Sequence, residues 1–186
     1  MTATRRQQLL EIIRTKGLRR LDEPVQLASG QMSSDFVDGK EALAQWSDLR
    51  IASEAIVETV SEAGFEFDAV GGLTLGADAL SVGIASVAQC RWFIVRKAPK
   101  GRGTRRQIEG ARIGPVDKVL LVDDAVTTGG SIFLAYDIVS GTGAEIVAAV
   151  TLVDRGEQAR PKFESLGCAY FPMTTYKSLE IDPVGG

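Results

Sequence analysis

Residues 118–131, Lys-Val-Leu-Leu-Val-Asp-Asp-Ala-Val-Thr-Thr-Gly-Gly-Ser, constrain this chain more than any other segment. Val119 to Val122 read as a buried central strand, because four aliphatic residues in a row leave no polar face for solvent. The run ends in two adjacent carboxylates, Asp123 and Asp124. Thr127, Thr128, Gly129, Gly130 and Ser131 follow at once, and a helical pattern covers 131–139. A buried strand turning tightly into a helix is the unit of an α/β sheet. At that turn, free N–H groups and the positive end of the helix dipole bind phosphate. The glycines let the backbone come close to a ligand, and the hydroxyls add donors. Successive strand residues point to opposite faces, so the two acids need not share one job. They can reach a ligand's hydroxyls, a magnesium shell or each other's hydrogen-bond partners.

Carboxylates for a sugar beside donors for a phosphate describe a ribose 5-phosphate site. The bland alternative is a strand–turn–helix whose polar residues solvate the turn; it accounts for an Asp-Asp pair better than for the whole string. The string is not a Walker A loop, since the GxxxxGK[ST] spacing is absent, and no GxGxxG is present. Gly141-Thr-Gly143 follows a helix rather than a strand and reads as a helix stop.

The rest of the chain repeats the same alternation. A helix is expected over 47–63, with Ser47 as cap and Gly64 as stop, and another over 77–88. Short apolar strands are expected at 68–71, 91–95, 145–153 and 169–171, with a helical piece at 157–166. Such a pattern predicts a parallel sheet covered on both faces, with ligands beyond the carboxyl ends of its strands. The first forty-odd residues differ. Leu9, Leu10, Ile12 and Ile13 predict a helix over 5–16 ending near Gly17, followed by extended pieces at 24–28 and 35–38 around Ser29-Gly30.

Composition removes several classes of chemistry. The 186 residues contain no histidine, which excludes a Ser-His-Asp triad and histidine-based zinc sites. No run of eighteen apolar residues exists to span a bilayer, and the N-terminus lacks the features of a signal peptide. Cys90 and Cys168 show no metal-ligand spacing. They read as reduced, mostly core residues of a cytoplasmic protein, with a disulfide between them as the alternative. Trp46 and Trp92 read as core or interface packing.

A second signal is a cationic run in an otherwise acidic chain of net charge -3. Arg96, Lys97, Lys100, Arg102, Arg105 and Arg106 fall between Val95 and Gln107. Pro99 interrupts any helix there, and Gly101 and Gly103 loosen the middle. A loop of this kind suits a highly charged ligand such as pyrophosphate, which must be enclosed and then released. The alternatives are a solvated basic loop or a nucleic-acid patch.

VLLVDDAVTTGGS resembles the phosphoribosyl pyrophosphate signature of type I phosphoribosyltransferases. The resemblance implies that Asp123 and Asp124 face the ribose hydroxyls. It implies that Thr127, Thr128, Gly129, Gly130 and Ser131 cradle the 5-phosphate, with Ala125 and Val126 in the same binding stretch. Residues 95–110 resemble the catalytic loop of the orotate phosphoribosyltransferases. There Arg96 and Lys97 would contact pyrophosphate, and Lys100 would reach the neighbouring subunit's site. The family usually has His where Arg102 stands, and arginine keeps the electrostatic contact without shuttling protons near neutral pH. Lys100, Arg102, Asp123 and Asp124 would form the catalytic group.

Residues 70–78 are similar to the family's pyrophosphate-side loop, centred on Thr74, Leu75 and Gly76, although some members carry lysine in place of Leu75. Ser29-Gly30 with Phe36 and Val37 matches the segment whose backbone holds orotate; many members have lysine in place of Ala28. Val153-Asp154-Arg155-Gly156 matches the strand end whose arginine binds the base's carboxylate, and Thr127 would help orient the base.

The resemblance further implies an α/β fold of the type I phosphoribosyltransferase kind: a parallel sheet flanked by helices, with a small N-terminal hood. Residues 1–45 would be the hood and 46–186 the core, with the C-terminal tail returning to the hood. Orotate would receive ribose 5-phosphate from phosphoribosyl pyrophosphate. Mg2+ would be the cofactor, held mainly by substrate and water rather than directly by protein. The enzyme would be a homodimer with shared active sites. Two rivals stand beside this reading. One is a transferase for another base, against which Arg155 and the VRKAPKGRGT segment weigh. The other is a non-catalytic regulatory relative that keeps the donor site, to which Ala28, Leu75 and Arg102 lend weight. Nucleic acid is the least fitting partner, since the cations cluster in one loop and aromatics make up 6%.

Overall fold

The computed structural model describes residues 3–27, 30–99 and 106–184. Apolar runs that leave no solvent face have to lie inside a sheet covered on both sides, and they do. Six strands form one sheet in the order β5-β4-β3-β6-β7-β8. They are β3 (Ala69–Leu73), β4 (Arg91–Val95), β5 (Ile108–Gly110), β6 (Lys118–Val126), β7 (Glu145–Asp154) and β8 (Ala169–Thr175). All neighbours are parallel except β4 and β5, which are antiparallel. Strands β1 (Leu18–Gln26) and β2 (Met32–Val37) form a separate antiparallel pair. The α/β architecture expected from the alternating pattern is the one observed.

Alternation along β6 shows why its run is wholly apolar. Leu120 and Val122 face α1 (Arg5–Ile12), α3 (Trp46–Glu62) and α4 (Asp78–Ala88), within a core that includes Leu9, Ile56 and Ile84. Val119 and Leu121 face the other way, against Ile132 and Phe133 of α5 (Gly130–Ser140) and Phe163 of α6 (Ala159–Ser165). Burying such a side chain is worth about 1.5–3 kcal/mol relative to exposure, so either face turned to solvent would be costly.

Several boundaries differ from the sequence reading. β6 runs to Val126, four residues past Val122, so the acids lie within the strand and not after it. Register explains this: Asp123 pairs with Thr151, Ala125 with Val153 and Val126 with Asp154 of an equally extended β7. β8 continues through Pro172 to Thr175. It is an edge strand, where a missing N–H is tolerated, and the Arg6 guanidinium donates to the carbonyls of Pro172 and Met173 at 2.8 and 3.1 Å. The first helix stops at Ile12 and gives way to a π-helical turn over Ile13–Gly17. α3 is capped at Gln45 rather than Ser47, and no side chain bonds its end. The extended pieces expected at 24–28 and 35–38 overlap the longer β1 and β2, which end at Gln26 and Val37.

Three elements carried no sequence signal: β5, α2 (Gly39–Ala42) and α7 (Tyr176–Leu179). Trp46 and Trp92 are 58% and 40% exposed, so neither packs in the core of this chain. Both cysteines are free; Cys168 is buried and Cys90 partly so.

The strand order places β3 and β6 side by side, with β4 reached in one direction and β7 in the other. Chain segments leaving the carboxyl ends of β3 and β6 therefore diverge, which opens a crevice at the strand switch point. Close approach on that line requires glycine. A Cβ at Gly72 would overlap the Val122 carbonyl and lie 2.7 Å from the Ala77 Cβ. Gly72→Ala is expected to cost at least about 2 kcal/mol through overpacking, lowering Tm by roughly 4–8 °C in thermal unfolding. An unchanged Tm would show that β3 has room to shift.

Candidate active site

The carboxyl end of β6 and the start of α5 form the cradle that the sequence reading assigns to phosphate. Gly129 sits at the helix cap with φ 84, in the left-handed region where glycine is favoured. A side chain there would also collide with the Phe133 ring, which packs beneath it. No side chain caps α5 and no acid lies in its first turn, so its leading N–H groups and dipole are free for an anion. A cavity of about 90 Å³ opens on this point, lined by Asp123 and residues 125–131. It is far below the ~300–1,000 Å³ of pockets for drug-sized ligands and suits a single phosphate group.

The two acids diverge as strand alternation requires. Asp123 faces the cradle cavity and is 4% exposed; its Oδ1 accepts from the Asp124 amide at 3.0 Å, and its Oδ2 is buried with no partner. Asp124 turns towards α2. Its Oδ1 accepts from the Ala125 amide at 2.8 Å, and its Oδ2 lies 3.3 Å from Lys40 Nζ. The Lys40 ammonium also lies 3.0 Å from Asp38 Oδ1, and that oxygen accepts from the Lys40 and Glu41 amides to cap α2. A Cβ at Gly39 would come 2.8 Å from the Asp124 Cβ, and one at Gly76 would overlap the Asp124 carboxylate. Asp124 is thus clamped between α2 and the turn after β3. Lys40 belongs to the site although no motif singled it out; only the packing of α2 against β6 brings it there.

On the neighbouring strands, Thr74, Leu75 and Gly76 follow β3, and Arg96 and Lys97 follow β4. The Thr74 amide donates to the Val95 carbonyl at 2.9 Å, which joins the two turns. The Thr74 hydroxyl donates to Asp78 Oδ2 at 2.8 Å, and Leu75 is 72% exposed. Arg96 Nε is buried with no hydrogen-bond partner, while Lys97 is exposed. Lys100, Arg102 and Ala28 lie outside the described residues.

Arg155 follows β7 and is only 2% exposed. Its Nη2 lies 3.2 Å from Ser33 Oγ of β2, and its Nε is buried without a partner. Burial works against its charge, and Asp35 of β2 partly offsets that. Ser33 and Asp35 share the inward face of β2. Phe36 alternates to the exposed face and Val37 packs in the core, so the structure brings Ser33 and Asp35 to Arg155, rather than the Phe36 side chain. A larger cavity of about 580 Å³ lies elsewhere, between residues 106–113 and the carboxyl end of α5. It contains neither the acids nor the cradle, so size does not locate the chemistry here.

Residues 40–167 match the phosphoribosyl transferase domain family. An orotate phosphoribosyltransferase of Aquifex aeolicus is 36% identical over 179 residues, which are 93% of this chain and 96% of the relative. That of Pyrococcus furiosus is 39% identical over 153 residues, 82% of this chain and 84% of the relative. The chain belongs to the orotate phosphoribosyltransferase family. A crystal structure of the Mycobacterium tuberculosis H37Rv orotate phosphoribosyltransferase, solved with 5-phospho-alpha-D-ribosyl 1-diphosphate, superposes with a TM-score of 0.78 at 30% identity. The match covers 95% of this chain and 99% of that one.

In this orotate phosphoribosyltransferase fold the cradle acid sits under tension. Burial, and then the neighbouring Asp124 charge, push the Asp123 carboxyl up to about 8. An unfolded aspartate titrates near ~3.9. Between those values the folded chain keeps a proton that the unfolded chain has lost. The carboxyl therefore costs stability progressively as pH rises from about 4 to about 8. Asp123→Asn removes that titration and keeps the acceptor for the Asp124 amide. It is expected to raise Tm at pH 7.5 by roughly 2–10 °C, corresponding to about 1–3 kcal/mol, with the difference closing near pH 4. Identical melting of the two proteins at pH 7.5 would rule out a buried, charge-averse carboxyl.

Proposed function

We infer that this chain transfers the 5-phosphoribosyl group of phosphoribosyl pyrophosphate to orotate, giving orotidine 5-monophosphate and pyrophosphate. It is a pentosyltransferase of de novo pyrimidine biosynthesis. One observation carries the reading: an uncapped helix N-terminus and two strand-borne carboxylates lie at the carboxyl end of β6, and the adjacent β7 leads into a buried, under-partnered arginine.

Each group then has a task set by its chemistry. The amides and hydroxyls of 127–131 hold the 5-phosphate. Asp123 and Asp124 accept from the ribose hydroxyls, Lys40 keeping Asp124 in place. Arg155 pairs with the orotate carboxylate, and Thr127 helps orient the ring. Arg96, Lys97 and the backbone of 74–76 meet the diphosphate, and Lys100 and Arg102 add positive charge for it. The bond from C1 to the pyrophosphate oxygen breaks, the bond from C1 to the orotate nitrogen forms, and that nitrogen gives up its proton. As the first bond loosens, positive charge grows on the ribose and negative charge on the leaving diphosphate. Fixed charges and fixed positions, rather than a covalent nucleophile, lower this barrier.

Magnesium fits the donor set. The site offers carboxylate oxygens, one of them Asp123 Oδ2 without a partner, and no described group of three His, Cys, Asp or Glu could cage an ion. A hard ion that keeps its waters and takes one or two carboxylates plus substrate oxygens suits this arrangement. When bound, it would neutralise charge between the diphosphate and the ribose hydroxyls. The reading includes a cytoplasmic homodimer with shared active sites. Trp46 of α3, Val82 of α4 and Trp92 of β4 are exposed apolar side chains of the kind a second subunit would cover. No described helix is long and apolar enough to cross a membrane.

The test is loss of orotate absorbance with purified protein, and it is expected to require both Mg2+ and phosphoribosyl pyrophosphate. No loss, with the donor still bound in calorimetry, would indicate another base or a non-catalytic relative. Lys100→Ala is expected to lower kcat on the order of 10²-fold while the donor's Kd stays within about threefold. An unchanged kcat would remove the loop lysine from catalysis.

A further inference from the structure

Behind Arg155 lies a buried polar chain that the reaction itself does not touch. The Tyr170 hydroxyl of β8 donates to Asp154 Oδ2 at 3.0 Å and lies 3.0 Å from Thr151 Oγ1. Asp154 Oδ1 accepts from the Gly156 amide at 3.1 Å. Thr151, Asp154 and Tyr170 are all buried. The Tyr170 ring stacks on Phe163 at 4.9 Å, in surroundings where phenylalanine would pack equally well. A hydroxyl and a carboxylate buried in such surroundings are costly unless each completes the other's hydrogen bonds. Since the hydroxyl gives its hydrogen to Asp154, it accepts from Thr151, and the chain is satisfied throughout.

This chain ends on the turn that carries Arg155. The Arg155 amide donates to the Val126 carbonyl, and the Arg155 carbonyl accepts from the Val184 amide, both at 2.7 Å. Gly156 is pressed against two backbone oxygens; a Cβ there would lie 2.5 Å from the Val184 carbonyl and 2.8 Å from that of Thr127. Among the described residues Asp154 is the side chain that bonds the turn's amide, and Tyr170 sets the Asp154 carboxylate. Among the described residues the Arg155 side chain makes one hydrogen bond, the 3.2 Å contact to Ser33. Its aim therefore depends on where the backbone starts it.

We propose that Tyr170 and Asp154 are positioning residues for the base site, fixing the turn from which Arg155 reaches the substrate's carboxylate. The inference rests on the orotate reading above. Without the Tyr170 hydroxyl, Asp154 Oδ2 is a buried acceptor with no donor. The carboxylate then rotates towards another donor, and rotation weakens its hold on the Gly156 amide. Small displacements of a positioning group are costly to binding and rate, whereas the 5-phosphate cradle belongs to β6 and α5 and is left intact.

Steady-state kinetics on the full-length enzyme with Mg2+ test this, comparing Tyr170→Phe, Asp154→Asn, Asp154→Ala and Arg155→Ala. Tyr170→Phe is expected to raise the KM for orotate about tenfold, which is about 1.4 kcal/mol. The KM for phosphoribosyl pyrophosphate should stay within about threefold. Asp154→Asn retains an oxygen for the Gly156 amide and should stay within about threefold for both substrates, whereas Asp154→Ala should match or exceed Tyr170→Phe. An unchanged orotate KM in Tyr170→Phe, or a parallel rise in both KM values, would overturn the proposal. Should Tyr170→Phe fail to fold, the Asp154 pair makes the same comparison. If Arg155→Ala leaves the orotate KM at the wild-type value, the base-site reading itself has failed and this inference falls with it. A raised KM in Arg155→Ala beside a normal one in Tyr170→Phe sinks the inference alone.

Discussion

The structure depends on placing two carboxylates at the end of a strand that is otherwise buried on both faces. Val119 to Val122 supply apolar surface to both cores, and the next two residues carry charge into the same low-dielectric setting. Neither acid can be left bare there. Asp124 is satisfied by the Ala125 amide and by Lys40 from α2, which ties the N-terminal segment to the central strand. Asp123 is half satisfied: one oxygen has the Asp124 amide and the other has no partner. An unmet acceptor beside an uncapped helix N-terminus leaves hydrogen-bonding capacity free for a polar ligand. The cost in folding free energy is the same fact seen from the stability side.

Much of this was legible because it is local. A strand, two acids, a glycine turn and a helix lie within fourteen consecutive residues, and each step follows from the chemistry of its neighbours. Arg155 was legible as the residue after a strand end. What escaped depends on contacts distant in sequence. β5 is three residues long and exists because it pairs with β4; α2 exists because Asp38 caps it and Gly39 fits against Asp124. The length of β6 and β8 is set by register with β7, which periodicity does not encode. Trp46 and Trp92 read as core or interface from residue type alone, and their exposure leaves only the second role open.

Lys40 illustrates the same limit at the site. It stands in a stretch with no motif, 84 residues before Asp124. Nothing in its neighbours marks it as functional. Once α2 packs on β6, its ammonium sits between Asp38 and Asp124, balancing two carboxylates with one cation. Tyr170 is similar: as an aromatic in a strand it reads as packing, and only the pairing of β8 with β7 shows its hydroxyl beneath Asp154.

The strand order explains why these separate pieces meet. Segments leaving β3 and β6 diverge at the switch point, so the turn at 74–76 and the cradle at 123–131 form two walls of one crevice. β7, next to β6, brings Arg155 to the cradle's flank, where the Arg155 amide bonds the Val126 carbonyl. β2 closes the far side through Ser33 and Asp35. The cradle, the two acids and Arg155 thus stand on β6, on β6 again and after β7. The two strands are held in register by their own ladder, so the spacing between the cradle and Arg155 is a property of the sheet. The turn that carries exposed Leu75 can then vary without moving the cradle or Arg155.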